Sequence, residues 1–283
     1  MLLAIHAQNN TDDTAVPGTL VVRHETAIFG LPCPECGRTI ATSVLSSVMT
    51  PDPALPYSLV IPAYNEEFRI TPLLEGIDRF DGELIVVCDG TDRTADVVES
   101  IAARRPDLHI RCLRFSHRLG KGGGVLAGLS AARAPLVGYF DADGSTGIGE
   151  MHRLFSAASS ADGAIGSRWI FGARLTVRQG ILRRVESRGF NLLIRLLYGL
   201  PYNDTQCGAK VFRKEAIDTV LPAMISRGFE FDVELLWRLR SAGFVIKEVP
   251  IEWQNKGNSR VEKRDMIRML IGLIHVRFGR DHP

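Results

Sequence analysis

From Tyr57 onward, short apolar runs alternate with longer stretches of helical spacing. The runs are Ser58 to Ile61, Glu83 to Cys88, Ile110 to Phe115 and Leu136 to Phe140. Between them lie Glu66 to Phe80, Thr94 to Arg105 and Gly122 to Ala132, whose apolar positions recur at helical intervals. Strands that alternate with helices predict βαβ units and a mostly parallel sheet. Ligands in such sheets bind at the carboxyl ends of the strands. Further on, Arg184, Arg188, Asn191 and Arg195 recur at helical spacing within the apolar stretch Ile181 to Leu200. Met266 to Phe278 repeats the pattern, with Arg268, Gly272 and His275 on a narrow polar stripe. Both read as amphipathic helices, which either close the domain's own core or lie in a bilayer interface. No apolar stretch reaches the ~20 residues a membrane span requires.

Residues 1–56 differ in texture. They are Thr-rich at the start, hold a Cys33-Pro34-Glu35-Cys36-Gly37 turn and end in the linker-like Thr50-Pro51-Asp52-Pro53. Thr19 to Arg23 and Arg38 to Thr42 read as short strands flanking the cysteine pair, as in one knuckle of a zinc ribbon. A closed zinc site needs four ligands, and only His6 and His24 lie near, so a reduced structural turn is the favoured reading and Zn2+ at Cys33 and Cys36 the lesser one. The expected division is an N-terminal extension over 1–56, a catalytic domain over 57–265 and a C-terminal amphipathic helix over 266–283.

Composition narrows the classes. The chain has 283 residues, 45% of them hydrophobic, enough for one large α/β domain plus appendages. With 34 basic against 32 acidic residues, the net charge of +2 offers no reason to expect nucleic acid as a partner. Five cysteines, an odd number, suit a reducing compartment better than a disulfide framework. The start, Met-Leu-Leu-Ala-Ile-His, lacks the basic and apolar regions of a signal peptide. A cytoplasmic location is therefore expected.

Four elements with chemical potential fall where strands end. In Val60-Ile61-Pro62-Ala63-Tyr64-Asn65-Glu66, proline stops a strand, and Asn65 and Glu66 either cap the next helix or reach a ligand. Cys88-Asp89-Gly90-Thr91-Asp92 is an acidic turn after a strand: Asp89 accepts from a ribose or base, or the stretch is an Asx-turn. Gly120-Lys121-Gly122-Gly123-Gly124 lets backbone approach an anion and adds one cation, without the P-loop spacing. In Tyr139-Phe140-Asp141-Ala142-Asp143-Gly144-Ser145, strand alternation would put Asp141 and Asp143 on one side, facing one Mg2+ or Mn2+ ion.

These motifs in this order, PAYNE at 62–66, CDGT at 88–91, LGKGGG at 119–124 and DADGS at 141–145, resemble the family-2 glycosyltransferases. The likeness continues through Gly166-Ser167-Arg168, the DTQCGAKVF stretch at 204–212, FEFDVE at 229–234 and EVPIEW at 248–253. These are similar to the polyprenyl-phosphate sugar synthases, the dolichyl-phosphate β-glucosyltransferases first and the mannose synthases second. The resemblance implies a GT-A, Rossmann-like nucleotide-diphospho-sugar transferase fold. It implies inverting, metal-dependent transfer of a hexose from UDP-glucose, or alternatively GDP-mannose, to a polyprenyl or dolichyl phosphate. It places the nucleotide on Pro62, Tyr64, Glu66 and Asp89, and the metal and diphosphate on Asp141 and Asp143. Lys121, Arg168, Gln206, Asp232 and Arg260 would line the phosphates of donor and acceptor. Two departures stand out: Cys88 replaces the family's first acidic residue in a turn one residue shorter, and Arg118 stands near the place of an Asn.

A phosphate-monoester acceptor is largely dianionic at neutral pH, so it needs cations to position it more than a base to activate it. Arg168, Lys210 and Arg260 are the candidates, each with a plain salt bridge as its alternative. Asp232 is read as a base, as the holder of an acceptor-site arginine or as a helix cap, the second favoured. Such an enzyme would be peripheral on the cytoplasmic face of the membrane. Competing readings are a transferase with a non-lipid acceptor, a sugar-phosphate nucleotidyltransferase and a non-catalytic nucleotide-sugar-binding protein; the oligomeric state is left open.

Overall fold

The computed structural model describes residues 29–32, 39–42, 55–175, 181–254 and 263–278. The chain divides into two compact units, Met1–Met49 and Thr50–Pro283. In the first, β1 (Phe29–Pro32) and β2 (Thr39–Thr42) pair antiparallel, Phe29 opposite Thr42. Thr19 to Arg23, Cys33 and Cys36 lie outside the described residues, and the zinc reading with them.

The second unit is built on seven strands: β3 (Tyr57–Ala63), β4 (Gly82–Cys88), β5 (Ile110–Arg114), β6 (Leu136–Tyr139), β7 (Gly163–Ser167), β9 (Lys210–Arg213) and β10 (Ile246–Pro250). Their spatial order is β10-β7-β9-β6-β3-β4-β5, parallel throughout except that β9 runs against both its neighbours. The short strands β8 (Arg174–Leu175) and β11 (Glu252–Trp253) make a separate parallel pair.

Period-two alternation sorts the strand residues into two cores. Val60, Ile85 and Val87 face one side, with α3 (Gly120–Ala131), α5 (Ile181–Tyr198), α6 (Lys214–Val220), α7 (Phe231–Ser241) and α8 (Lys263–Phe278) contributing to that cluster. Leu59, Ile61, Leu84 and Val86 face the other, covered by α1 (Ile70–Glu75), α2 (Thr94–Arg104) and α4 (Ile148–Ala158). Buried on both faces, these strands read as continuous apolar runs.

Pro62 does not stop its strand. β3 continues through Pro62, opposite Val87, to Ala63. Its pairing with β6 ends at Val60 opposite Tyr139, and the Val60 carbonyl accepts from Phe140. Pro62 therefore sits where the β6 side has no further ladder to join, so its missing N–H breaks no bond.

Candidate active site

The carboxyl ends of β3, β4 and β6 converge as an α/β ligand crevice requires. At the end of β3, Asn65 adopts φ 54°, and its Oδ1 accepts from the Thr91 and Asp92 amides at 2.9 and 3.3 Å. Asn65 thus ties β3 to the turn after β4 and does not cap α1, whose N-cap position is Arg69. The Glu66 carboxylate takes a bidentate pair from Arg69, and its amide donates to Thr94 Oγ1 at 2.8 Å. The Arg118 guanidinium lies 4.2 Å from the centre of the Tyr64 ring.

Asp89 is buried, and its Oδ2 accepts the Leu119 amide at 2.8 Å, just before α3. The Asx-turn of this stretch is made by Asp92, whose Oδ1 accepts from the Thr94 amide and hydroxyl. Burial works to raise the Asp92 carboxyl, but the donors on Thr94 and Glu67 outweigh it and hold it below the usual range.

The glycine run is a helix start that docks closely on protein. Gly120 has φ +78°, and the amides of Gly122 and Gly123 donate to the Gly228 and Arg227 carbonyls at 3.2 and 3.1 Å. A Cβ at Gly122 would come within 2.6 Å of Phe231 Cβ. Those two amides are spent on the 227–231 segment, so the reading of an open backbone cradle for an anion is corrected. What this segment delivers to the crevice is Lys121.

Lys121 Nζ lies 2.8 Å from Asp141 Oδ1. Burial opposes its charge, yet the carboxylates of Asp141, Asp232 and Asp143 prevail and hold the ammonium above the ordinary lysine value. β6 ends at Tyr139, so Asp141 and Asp143 sit in the following turn and strand alternation does not orient them. Asp143 Oδ1 accepts from the Ser145 amide at 2.8 Å. Asp141 keeps 36% side-chain exposure and packs over Gly208, where a Cβ would fall 2.0 Å from its Oδ2. Among the described residues no group of three or more His, Cys, Asp or Glu could hold a metal. Two carboxylates at a solvent-reachable turn fit a hard divalent cation that draws its other oxygens from phosphate and water.

Asp232, in the first turn of α7, is buried with Lys210. Its Oδ1 accepts from the Lys210 ammonium and, at 2.5 Å, from the Tyr139 hydroxyl; Lys210 also donates to the Cys207 carbonyl at 2.5 Å. Lys210 is fully buried and committed to this pair, which removes it from the candidate phosphate ligands. Among the described residues Asp232 holds a lysine and a tyrosine, and no arginine. Burial first, and then Asp232, pushes the Tyr139 phenol well up, so it stays a donor.

Arg168, just past β7, pairs with buried Asp204 through Nε at 2.7 Å and Nη2 at 2.9 Å. Its Nη1 takes no partner among the described residues. Trp169 and Trp253 lie 5.9 and 5.5 Å from its guanidinium carbon. Gln206 Nε2 contacts Met269 Sδ on α8 at 2.9 Å. Arg260 lies outside the described residues. Asp141, Asp143, Lys121 and Asp232 are thus brought together, with Arg168 at the end of β7. Sequence reasoning missed Asp204 and Tyr139 as partners and did not see what Arg118 rests on.

Of the polar stripe of α5, Asn191 is buried and Arg188 is exposed. Asn191 bonds the Asn203 carbonyl and the Thr205 hydroxyl, and Arg188 lies 5.2 Å from the Trp169 ring. Leu192, Leu193 and Leu196 are exposed, while the Arg184 side chain is outside the described part. On α8, Met269, Leu273 and Val276 are buried and Ile267, Ile271, Ile274 and Phe278 exposed. The Tyr198 hydroxyl ties the two helices by donating to the Leu273 carbonyl at 2.5 Å. No helix among the described residues is long and apolar enough to cross a membrane.

Comparison with known proteins agrees with this architecture. The chain is 35% identical over 237 residues to a dolichyl-phosphate beta-glucosyltransferase of Trichomonas vaginalis, covering 77% of the chain and 70% of that protein. It is 34% identical to the polyprenol monophosphomannose synthase of Mycolicibacterium smegmatis, covering 70% and 77%. Among solved structures, glucosyl-3-phosphoglycerate synthase from Mycobacterium tuberculosis, in complex with Mn2+, UDP-glucose and glycerol 3-phosphate, superposes with a TM-score of 0.58 at 19% identity, covering 79% of the chain and 80% of that structure. A Pyrobaculum calidifontis mannosyltransferase in complex with GDP-mannose and Mn2+ gives 0.50 at 17%, covering 76% and 61%. These likenesses show the GT-A fold. With residues 58–221 matching the family described as Glycosyl transferase family 2, the chain belongs to that family and is a glycosyltransferase.

Proposed function

We propose that the protein transfers a hexose, with inversion, from a nucleotide-sugar to a polyprenyl or dolichyl phosphate. UDP-glucose is the favoured donor, and GDP-mannose is the second reading because a polyprenol mannose synthase is nearly as similar as the glucosyltransferases. The observation that carries the proposal is the turn after β6, where Asp141 is seated over Gly208 and paired with Lys121, with Asp143 two residues on. Asp141 and Asp143 are the residues that would hold Mg2+ or Mn2+, which would supply positive charge for a departing nucleoside diphosphate.

The remaining work falls to the chain's own residues. Pro62, Tyr64, Glu66 and Asp89 stand at the ends of β3 and β4 for the nucleoside. Lys121 brings a fixed cation to the diphosphate. Arg168, anchored on Asp204, keeps Nη1 for the acceptor phosphate, and guanidinium suits that oxyanion. Gln206 and, outside the described residues, Arg260 complete the phosphate lining. Asp232 fixes Lys210 and Tyr139 beneath the site as a positioning residue. The dianionic acceptor phosphate attacks without help from a general base.

The exposed apolar residues of α5 and α8, with Arg188, Arg268 and Arg277 on the same helices, support a peripheral seat on a membrane, where the acceptor's tail stays in lipid, and we place that seat on the cytoplasmic face. The test is to incubate the purified chain with radiolabelled UDP-glucose or GDP-mannose and dolichyl phosphate, then read the organic-phase product and its anomeric configuration by NMR. A β-linked glucosyl phosphodiester is expected. Turnover only with a water-soluble acceptor, or retention of the donor's anomeric configuration, would overturn the reading.

A further inference from the structure

Cys88, the last residue of β4, and Cys112, in β5, place their sulfurs 3.7 Å apart. Neither thiol enters the transfer chemistry. Cys88 is buried and Cys112 partly exposed, and both are free thiols. Cys88, Gly90, Asp92, Thr94, Ala95 and Arg114 line a recess of about 100 Å³ that admits a small oxidant to the Cys88 side of the pair, while Cys112, outside that lining, is reached through its own partial exposure. The shared hydrogen bond with Cys88 holds the Cys112 thiol below its ordinary value, whereas the same bond and burial push Cys88 up. Cys112, the more exposed of the two, is the reactive partner and buried Cys88 the resolving one.

We propose that Cys88 and Cys112 form a redox-reactive dithiol that a hydroperoxide closes to a disulfide, displacing the end of β4 and the site residues attached to it. The Cys112 thiolate attacks the peroxide, the O–O bond breaks, and an alcohol or water leaves with the thiol proton. The resulting sulfenic acid is attacked by the Cys88 sulfur, the S–O bond breaks, and a water leaves with the second proton. Two thiols lose two electrons, and one peroxide is reduced.

The register makes this bond mechanically consequential. Cys88 stands opposite Arg114 and Cys112 opposite Val86, so the two thiols are diagonal neighbours. The two sulfurs stand 3.7 Å apart, whereas a disulfide holds them at about 2.05 Å. Closing the bond must therefore drag the end of β4 toward β5. Two hydrogen bonds leave from that end: the Phe115 amide to the Cys88 carbonyl, at 2.9 Å, and the Leu119 amide to Asp89 Oδ2, at 2.8 Å. Leu119 is two residues before Lys121, whose ammonium holds Asp141. The effect on donor binding rests on the proposed function; the bond and the backbone shift do not.

The test uses the full chain carrying Cys33→Ser and Cys36→Ser, treated with hydrogen peroxide and trapped with iodoacetamide. A non-reducing digest is expected to contain a Cys88–Cys112 linked peptide two hydrogens lighter, removed by dithiothreitol. Amide exchange over Phe115 to Leu119 should speed up on oxidation, and the UDP-glucose Kd should rise by roughly tenfold or more. Adding Cys112→Ser should abolish all three responses. Alkylation of both thiols after peroxide, or a linked peptide with unchanged exchange at Phe115 to Leu119, would overturn the proposal. A reduced chain that fails to bind UDP-glucose would instead count against the proposed function, with the peptide and exchange data still deciding this one.

Discussion

Gly208→Ala isolates the placement of Asp141 from its chemistry. A Cβ at position 208 would lie 2.0 Å from Asp141 Oδ2 and 2.5 Å from its Cγ, whereas ordinary contact begins at 3.4 Å. Gly208 is not among the positive-φ glycines, so alanine brings no backbone strain there. The strain therefore falls on the carboxylate, which must retreat by about 1.4 Å and give up its 2.8 Å contact with Lys121. With 36% of its side chain exposed, Asp141 can swing toward solvent, so unfolding stability should change by less than about 1 kcal/mol. Displacing a site group by about 1 Å can cost about 100-fold in rate, equivalent to about 2.7 kcal/mol of transition-state stabilisation. The assay is kcat/KM for glycolipid formation at saturating Mn2+, with thermal unfolding measured on the same preparations. Activity within about threefold of wild type would show that the position of Asp141 over Gly208 is not the working one.

Three further outcomes follow from the same contacts. Lys210→Met should destabilise the fold by about 3–5 kcal/mol, because it leaves Asp232 buried without its cation; adding Asp232→Asn should recover part of that loss in urea unfolding. Burial alone would raise the Asp204 carboxyl, but Arg168 holds it below the usual range. Its stabilising contribution is thus complete above the unfolded value, about pH 4, and is lost as pH falls through the lower folded value. Tm measured between pH 6 and 3 should fall less steeply in Asp204→Asn than in wild type. Ile271→Asp, at an exposed position of α8, should weaken sedimentation with anionic liposomes at low salt while leaving Tm nearly unchanged; unaltered sedimentation would remove α8 from the interface.

Strand runs and their alternation were legible because the sheet is buried on both faces, and three of the four site motifs were legible because each lies directly at a strand's end, the glycine run coming only after the loop that follows β5. What escaped was long-range pairing. Asp204 and Arg168 are 36 residues apart and meet only because β9 is inserted antiparallel between β6 and β7. A glycine run reads alike whether its backbone meets a phosphate or, as here, the 227–231 carbonyls. Lys210 looked like a phosphate ligand because a lysine in an apolar strand carries no sign of its buried partner, 22 residues on. In α5, spacing revealed an amphipathic helix but could not say that Asn191 of its polar stripe turns inward, onto Asn203 and Thr205.

The most direct test of the central claim, that the turn holding Asp141 and Asp143 drives transfer to a polyprenyl phosphate, is glycolipid formation by wild type and Asp143→Ala with and without Mg2+ or Mn2+. The account predicts a chloroform-soluble hexosyl phosphodiester that requires the metal and falls by at least about 100-fold in the variant. Undiminished product from Asp143→Ala, or product formed equally well in excess chelator, would contradict it.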